Sequence, residues 1–434
     1  MNISKLLKEI IKRLLLVFLA ERLSLDTMKR IYRVCYRKYF DELDKLNEMH
    51  PCLQWGDDVE IKNIGKILIV RLDAIGDLVW TTPLFRELKR NCPTASIDIV
   101  VRPQNFDLVE NCPYIDDIYT YECDVYGDVS SSDYIKVEAK VKNYIDVNFK
   151  NKEYDLVILP RAIYCNSGFD SIIFSFLINS RYRIARSHSL NGFQRGSSAL
   201  LKKYFSAFAE VVKPQHEVEQ ILSLGEIIGC KIASKNTELW IDERNDFVLD
   251  LLSKYYVVVG LQGSLDNKNW DPVKYRHVFK EIYRRHSNIT FVICGDKKVE
   301  DAAEIAGREC NNVINMAGKT TLKKLQLIVS KSIGYLGSDT GLAHIAAAFD
   351  KSAVVISTHI KNGYDMSAMA PKRVAPYGVD NIVLEIPKGN RMCVDECIEN
   401  KASCINTIAE DRVIDAIEDI ILKELNEGVT SGQD

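Results

Sequence analysis

The chain has 434 residues, of which 47% are hydrophobic and 27% charged, and a formal net charge of −3. That length accommodates two domains with full hydrophobic cores, and the near-neutral charge gives no reason to expect a nucleic-acid partner. Twelve cysteines lie scattered without the spacing of a small disulfide scaffold, which fits a reducing cytoplasm and mostly free thiols.

Residues 1–50 read as helices. Ile3, Leu7, Ile10, Leu14 and Val17 fall on one face, flanked by Leu6, Ile11, Leu15 and Phe18, while Lys5, Lys8, Lys12 and Arg13 fill the other. Residues 1–40 carry ten Lys/Arg against three Asp/Glu, a net +7 that leaves −10 for the rest of the chain. A basic amphipathic helix of this kind suits an anionic membrane surface; it equally suits packing on the protein's own body or on a second subunit. The apolar run 14–20 spans seven residues before Glu21 and Arg22, too short to cross a bilayer and unconvincing as a cleavable signal.

From Gly65 the pattern changes to short apolar strands alternating with helices. Strands are expected at 66–72, 96–101, 155–159 and 181–185, with helices at 77–90 and 172–178. Residues 124–150 form a polar stretch ending in a helix, and 187–215 is a Ser/Gly-containing basic excursion; both are candidate acceptor-side loops. After the charged, irregular stretch 235–246 a second unit of the same kind begins. It has strands at 256–261, 289–294, 333–336 and 353–357 and helices at 273–285, 301–309, 342–349 and 413–425. Continuous Val/Ile/Leu strands separated by helices indicate parallel sheets covered on both faces, which bind ligands at the carboxyl ends of their strands.

Three strand-to-helix turns hold the residues suited to chemistry. In the first, R-L-D-A-I-G-D at 71–77, Gly76 permits a tight turn and Asp77 enters the next helix. An aspartate there is more often a cap than a catalyst. It is also a carboxylate able to accept a proton from a sugar hydroxyl, with its pKa depressed by the helix N-terminus. Asp73 is the competing carboxylate. In the second turn, at 260–270, Gly263 and Ser264 can turn N–H groups and a hydroxyl toward a phosphate, and Lys268 supplies a compact positive charge. In the third, Asp339 opens an Ala-rich helix with Thr340 and Gly341 in its first turn, where backbone amides and the helix dipole suit a phosphate, and His344 lies one turn on. The bland alternatives are an Asp N-cap with a buried histidine behind it, and a solvated loop lysine beside a packed Trp270. Together the second and third turns make a diphosphate site without a metal.

In these residues the chain resembles glycosyltransferase family 9, whose best-known members are the ADP-heptose:lipopolysaccharide heptosyltransferases. The resemblance covers most of 65–425. It includes I-L-I-V-R-L-D-A-I-G-D-L-V-W-T-T-P-L at 67–84, H-E-V-E-Q-I-L-S-L-G-E-I-I-G at 216–229 and the pair Lys268 and Trp270. It continues through A-G-K-T-T-L at 317–322, D-T-G-L-A-H at 339–344 and C-I-N-T-I at 404–408. The resemblance implies an α/β fold of the GT-B type, two Rossmann-like parallel-sheet domains facing a cleft, here with an N-terminal helical extension. The expected organisation is a basic amphipathic extension at 1–60, an acceptor domain at 61–245, a nucleotide-sugar domain at 246–400, and a closing helix and tail at 401–434.

The family also implies metal-independent, inverting transfer of a sugar without a cofactor, most simply heptose from ADP-heptose to a bacterial cell-surface glycan such as the lipopolysaccharide core. Residue by residue, Asp77 occupies the place of the catalytic base and Lys268 that of the lysine on the donor phosphates. Asp339, Thr340, Gly341 and His344 match the donor-binding turn. The acidic residue offered to the ribose falls at Glu300, beside Lys297 and Lys298, where acidic residues are common. Asp73 departs from the small residue usual before Ile-Gly-Asp, and Ser357-Thr358 stand in place of Phe-Gly. Cys393, Cys397 and Cys404 resemble a C-terminal cysteine cluster. As C-x3-C-x6-C without histidine it reads as structural thiols, unless Cys52 or Cys35 supplies a fourth metal ligand. The expected partners are a nucleotide diphosphate sugar, a glycan or glycolipid acceptor, and an anionic membrane met by residues 1–40 on the cytoplasmic face. A different nucleotide sugar, a protein acceptor, or a non-catalytic nucleotide- or glycan-binding scaffold are the competing readings. A dinucleotide oxidoreductase is not expected, because no G-x-G-x-x-G follows the first strand of either unit.

Overall fold

A computed structural model of the protein describes residues 24–123, 134–162, 166–187, 198–211, 213–242, 255–263, 268–363, 365, 367, 369–387 and 404–430. The chain forms two compact units, Met1–Lys235 and Asn236–Asp434.

The N-terminal unit begins with helices α1 (Leu25–Cys35) and α2 (Arg37–Met49). Ser24 caps α1, its hydroxyl accepting the Thr27 N–H at 3.2 Å. α2 buries Tyr39, Phe40, Leu43 and Leu46 in the same core as Leu68, Val157 and Phe174, so this hairpin is built into the unit. Asp44 fastens it from outside, accepting from Arg33 at 2.6 Å, Lys203 at 2.5 Å and Tyr204 at 2.7 Å. The amphipathic helix expected over 3–18 lies outside the described residues.

There follow β1 (Lys66–Arg71), α3 (Ile75–Val79), α4 (Thr82–Asn91), β2 (Ser96–Val101), β3 (Asp117–Thr120), α5 (Tyr134–Asn148), β4 (Tyr154–Leu159), α6 (Asn166–Leu177), β5 (Ser180–Arg186), β6 (Ala207–Ala209) and α7 (Glu217–Glu226). The strands form one parallel sheet in the order β3-β2-β1-β4-β5-β6. Ile67 of β1 stands opposite Ile97 of β2 and Leu156 of β4. Both faces of this central strand are covered, which is why its middle carries no polar residue. The strand order reverses between β1 and β4, and in such sheets that switch point opens a crevice at the carboxyl ends. The single helix expected at 77–90 is two. Thr81 Oγ1 bonds back to the Asp77 carbonyl at 2.8 Å, and Pro83, which has no N–H to give, sits in the first turn of α4. Edge strand β3 is largely solvent-facing and β6 has three residues, so neither produces an apolar run.

The C-terminal unit comprises β7 (Tyr256–Gly260), α8 (Pro272–Arg285), β8 (Thr290–Ile293), α9 (Glu300–Gly307), β9 (Val313–Asn315), α10 (Leu322–Ser330), β10 (Gly334–Ser338), α11 (Gly341–Ala348), β11 (Ala353–Ile360), α12 (Pro371–Val374), β12 (Asn381–Ile386) and α13 (Glu410–Thr430). Its parallel sheet runs β12-β11-β10-β7-β8-β9, the same arrangement, with the switch point between β7 and β10. α13 buries Val413, Ile414, Ile417 and Ile421 in the core shared with Leu336 and Val354. β11 continues to Ile360, so Ser357 and Thr358 lie within the strand, where the register shifts and Ser357 Oγ accepts the His359 N–H at 3.1 Å. Among the described residues no helix is long and apolar enough to cross a membrane.

Candidate active site

β1 ends on Arg71, whose fully buried side chain holds the turn that follows. Its Nε and Nη2 donate to the Asp77 carbonyl oxygen at 3.1 and 2.9 Å, and its Nη1 donates to Asp73 Oδ2 at 2.8 Å. Gly76 lies within α3, so the bend falls earlier than the sequence suggests, at 72–74. Asp77 is the third residue of α3, and its Oδ2 accepts the Ala74 N–H at 3.2 Å. The capping role is therefore real. It leaves Oδ1 at 3.5 Å from Arg71 Nη2 and 3.6 Å from Arg161 Nη1.

Arg161 enters from just beyond the end of β4, and its Nη2 also meets Asp73 Oδ1. The two carboxylates thereby differ. Asp73 is gripped by two guanidiniums and is nearly inaccessible, whereas the Asp77 side chain is 18% exposed and makes the longer ion contacts. Burial pushes the Asp77 carboxyl above its ordinary pKa, opposed by Arg161 and Arg71 and assisted by the negative charges of Asp73 and Glu217. This corrects the expectation that the helix end depresses it: desolvation is the largest influence and outweighs the neighbouring arginines. A carboxylate raised in this way is a stronger base than one held down by a helix. Neither arginine stands out as a site residue in the sequence. The signal for Arg71 is a charged residue closing an apolar strand, since a buried guanidinium needs a buried partner. Nothing local marks Arg161.

At the second switch point, Ser338 Oγ donates to the carbonyls of Leu261 at 3.1 Å and Lys268 at 2.8 Å, joining the end of β10 to the loop after β7. Lys268 Nζ donates to Asp339 Oδ2 at 3.0 Å, and His344 Nε2 lies 3.7 Å from Asp339 Oδ1. Burial would raise the Asp339 carboxyl, yet Lys268 and His344 hold it below its ordinary value. Asp339 is not the cap of α11. That residue is Thr340, which makes no side-chain cap hydrogen bond, so its hydroxyl does not close the first turn of the helix. Gly341 begins the helix, and His344 is buried one turn on.

Gly263 lets these pieces approach, because a Cβ there would lie 3.1 Å from Lys268 Cβ and Cδ and 3.6 Å from Thr340 Cγ2. Its N–H donates to Asn269 Oδ1 at 2.9 Å and is not turned to a ligand as the sequence suggests. Ser264 lies outside the described residues. Glu300 begins α9 on the loop after β8, with its carboxylate over Gly318, where a Cβ would fall 2.3 Å from Glu300 Oε1.

The other motifs of the resemblance have packing roles. Trp270 is buried with its Nε1 donating to the Ile408 carbonyl at 3.3 Å, and Asn406 Oδ1 accepts the Asp271 N–H at 2.9 Å. This ties C-I-N-T-I to α8. In the 216–229 motif His216 caps α7, and Glu217 and Gln220 accept from the buried Arg186 at 2.5 and 2.9 Å. Cys393 and Cys397 lie outside the described residues and Cys404 is half-buried; among the described residues no cluster of His, Cys, Asp or Glu is arranged to hold a metal.

A family profile described as glycosyltransferase family 9 (heptosyltransferase) matches residues 149–400, more than half of the chain. The chain belongs to glycosyltransferase family 9. The family segment contains Arg161, Lys268 and the 339–344 turn, while Asp77 precedes it. Lipopolysaccharide heptosyltransferase 3 of Escherichia coli K12 is 25% identical over 284 residues, 63% of this chain and 76% of that protein. Lipopolysaccharide heptosyltransferase 1 of Campylobacter coli is 23% identical over 370 residues, 82% of this chain and 98% of that protein. Among solved structures, a family 9 glycosyltransferase from Veillonella parvula superposes with a TM-score of 0.65 at 17% identity, covering 84% of this chain and 99% of its own. The E. coli ADP-heptose lipopolysaccharide heptosyltransferase II superposes at 0.59, also at 17% identity, covering 83% and 99%. These two likenesses establish the fold, and family 9 membership makes the protein a glycosyltransferase.

Proposed function

We propose that this family 9 enzyme transfers heptose from ADP-heptose to the lipopolysaccharide core by a metal-independent displacement that inverts the anomeric carbon. The observation that carries the reading is the content of the two switch points: a half-buried carboxylate facing two arginines at one, and a lysine beside a helix N-terminus at the other. The names of the relatives supply the sugar and the acceptor.

In this mechanism Asp77 takes the proton of the acceptor hydroxyl as its oxygen bonds the anomeric carbon. The bond from that carbon to the diphosphate oxygen breaks on the opposite face, and negative charge grows on the departing ADP. Lys268, released from Asp339, and the amides of Thr340 and Gly341 meet that charge. Because these contacts strengthen as the charge develops, they speed departure as well as hold the donor. Asp339 and His344 orient the lysine and the turn, Gly263 lets the loop pack closely on Lys268, the Ser264 hydroxyl is offered to the phosphates, and Glu300 meets the ribose. The basic segment ahead of Ser24 meets the anionic inner leaflet of the plasma membrane, where a lipid-linked acceptor is presented to an enzyme working in the cytoplasm.

The test is a donor panel of ADP-heptose, ADP-glucose, UDP-glucose and GDP-mannose, read by thermal shift and by nucleotide release with truncated lipopolysaccharide core. ADP-heptose should both stabilise the protein and turn over. Turnover of a UDP- or GDP-sugar in its place would overturn the donor, and binding without turnover of any sugar would leave a scaffold.

A further inference from the structure

We infer that Arg161 is a positioning residue for the reacting carboxylate, pinned by Asp73 so that its guanidinium faces Asp77. The inference rests on the reading of Asp77 as the base and adds a residue to it. Arg161 and Asp77 come from different strands of the switch point, β4 and β1, whose pairing of Ile69 with Ile158 fixes their separation. Arg161 Nη2 is bound by Asp73 Oδ1, which leaves Nη1 at 3.6 Å from Asp77 Oδ1. A planar guanidinium can serve two carboxylates at once in a fixed geometry; an ammonium cannot do so in the same way.

The charges facing Asp77 are Arg71 and Asp73 on the β1 turn, Arg161 beyond β4, and Glu217 on α7. Arg71 is spent on the Asp77 carbonyl and on Asp73 Oδ2, where it fixes the shape of the turn. The Arg161 charge balances the two neighbouring carboxylates. It keeps Asp77 ionised and able to accept the proton. Once Asp77 is protonated, Asp73 still holds Arg161 in place, so the guanidinium does not move onto the substrate.

The experiment compares kcat/KM against pH for wild type, Arg161→Lys, Arg161→Met and Asp77→Asn, using ADP release from ADP-heptose in the presence of truncated core. Loss of a positive charge beside a buried carboxyl raises its pKa, so in Arg161→Met the acidic limb should move to higher pH by about one unit or more. Arg161→Lys should keep the limb near its wild-type place while lowering kcat, and ADP affinity should be unchanged in both. If Arg161→Met does not fold, Asp73→Asn/Arg161→Gln removes one charge of each sign, and the limb should still rise because Arg161 lowers the Asp77 pKa more than Asp73 raises it. Should Asp77→Asn be inactive while neither Arg161 variant moves the limb, the positioning role is overturned and the base stands. Should Asp77→Asn keep full activity with an unaltered limb, the base reading falls and this inference falls with it.

Discussion

Gly337 of β10 stands opposite Gly260 of β7, and a Cβ on Gly337 would fall 2.1 Å from the Gly260 carbonyl oxygen. The two strands therefore meet at the switch point without side chains, and the Tyr335 hydroxyl fills the space, donating to the Ser338 carbonyl at 2.7 Å. Gly337 also adopts φ +156°. The tight junction fixes where Asp339 and Thr340 begin.

Gly337→Ala should accordingly separate the strands and misplace the turn. Overpacking of this kind costs about 1–3 kcal/mol. A lowered urea midpoint together with weaker ADP binding by calorimetry is expected; wild-type values for both would show that the junction yields freely.

Asp77→Asn should retain fold and ADP affinity while lowering turnover by roughly 10²–10⁴-fold, the range for loss of a general base. Asp73→Asn should behave differently, because it weakens the grip on two arginines, and should lower the melting temperature. A nearly fully active Asp77→Asn beside an inactive but stable Asp73→Asn would mean the wrong carboxylate has been named.

Lys268→Ala removes a charge-assisted contact of about 1.5–3 kcal/mol, so ADP binding should weaken by roughly 10–100-fold. Chelation should leave wild-type turnover unchanged, since the lysine and helix-end amides act at the diphosphate. Activity abolished by EDTA and restored by magnesium or manganese would falsify the metal-free mechanism.

Asp44 tests the integration of the α1–α2 hairpin. Burial alone would raise its carboxyl, but Lys203, Arg33 and Tyr204 hold it down to about 2. With the folded value below the unfolded one, its stabilisation is present above about pH 4 and is lost as pH falls toward 2. Asp44→Asn should lose about 1 kcal/mol at pH 7, the linkage value discounted for solvent screening, and converge with wild type in acid. Parallel stability curves across that range would show that the knot contributes nothing.

The membrane contact can be tested only upstream of Ser24. Lys29, Arg30, Arg33, Arg37 and Lys38 lie on α1 and α2 inside the N-terminal unit, so a deeper truncation would strip its core. The intact protein should sediment with anionic liposomes at low salt, and a protein beginning at Ser24 should bind less, each basic residue adding about 1 kcal/mol. Equal, salt-insensitive sedimentation of the two would sink the membrane role.

The central strands were legible from the sequence because a strand covered on both faces must be apolar throughout, as 67–70 and 256–259 are. The turn at 339–344 was legible because a helix start after a glycine-ended strand is a local event. Sequence order could not say that β1 neighbours β4, or β7 neighbours β10, since those pairings depend on crossovers through intervening helices. Hence Arg161 beside Asp73 and Asp77 was invisible. Lys268 and Asp339, 71 residues apart, fall to one diphosphate site by their place after parallel strands, yet nothing local tells that they bond to each other. The direction of the Asp77 shift was likewise a tertiary matter. A helix start can be read from sequence, whereas the burial of Asp77 and the charges around it, from the β1 turn, from beyond β4 and from α7, are brought together only by the fold.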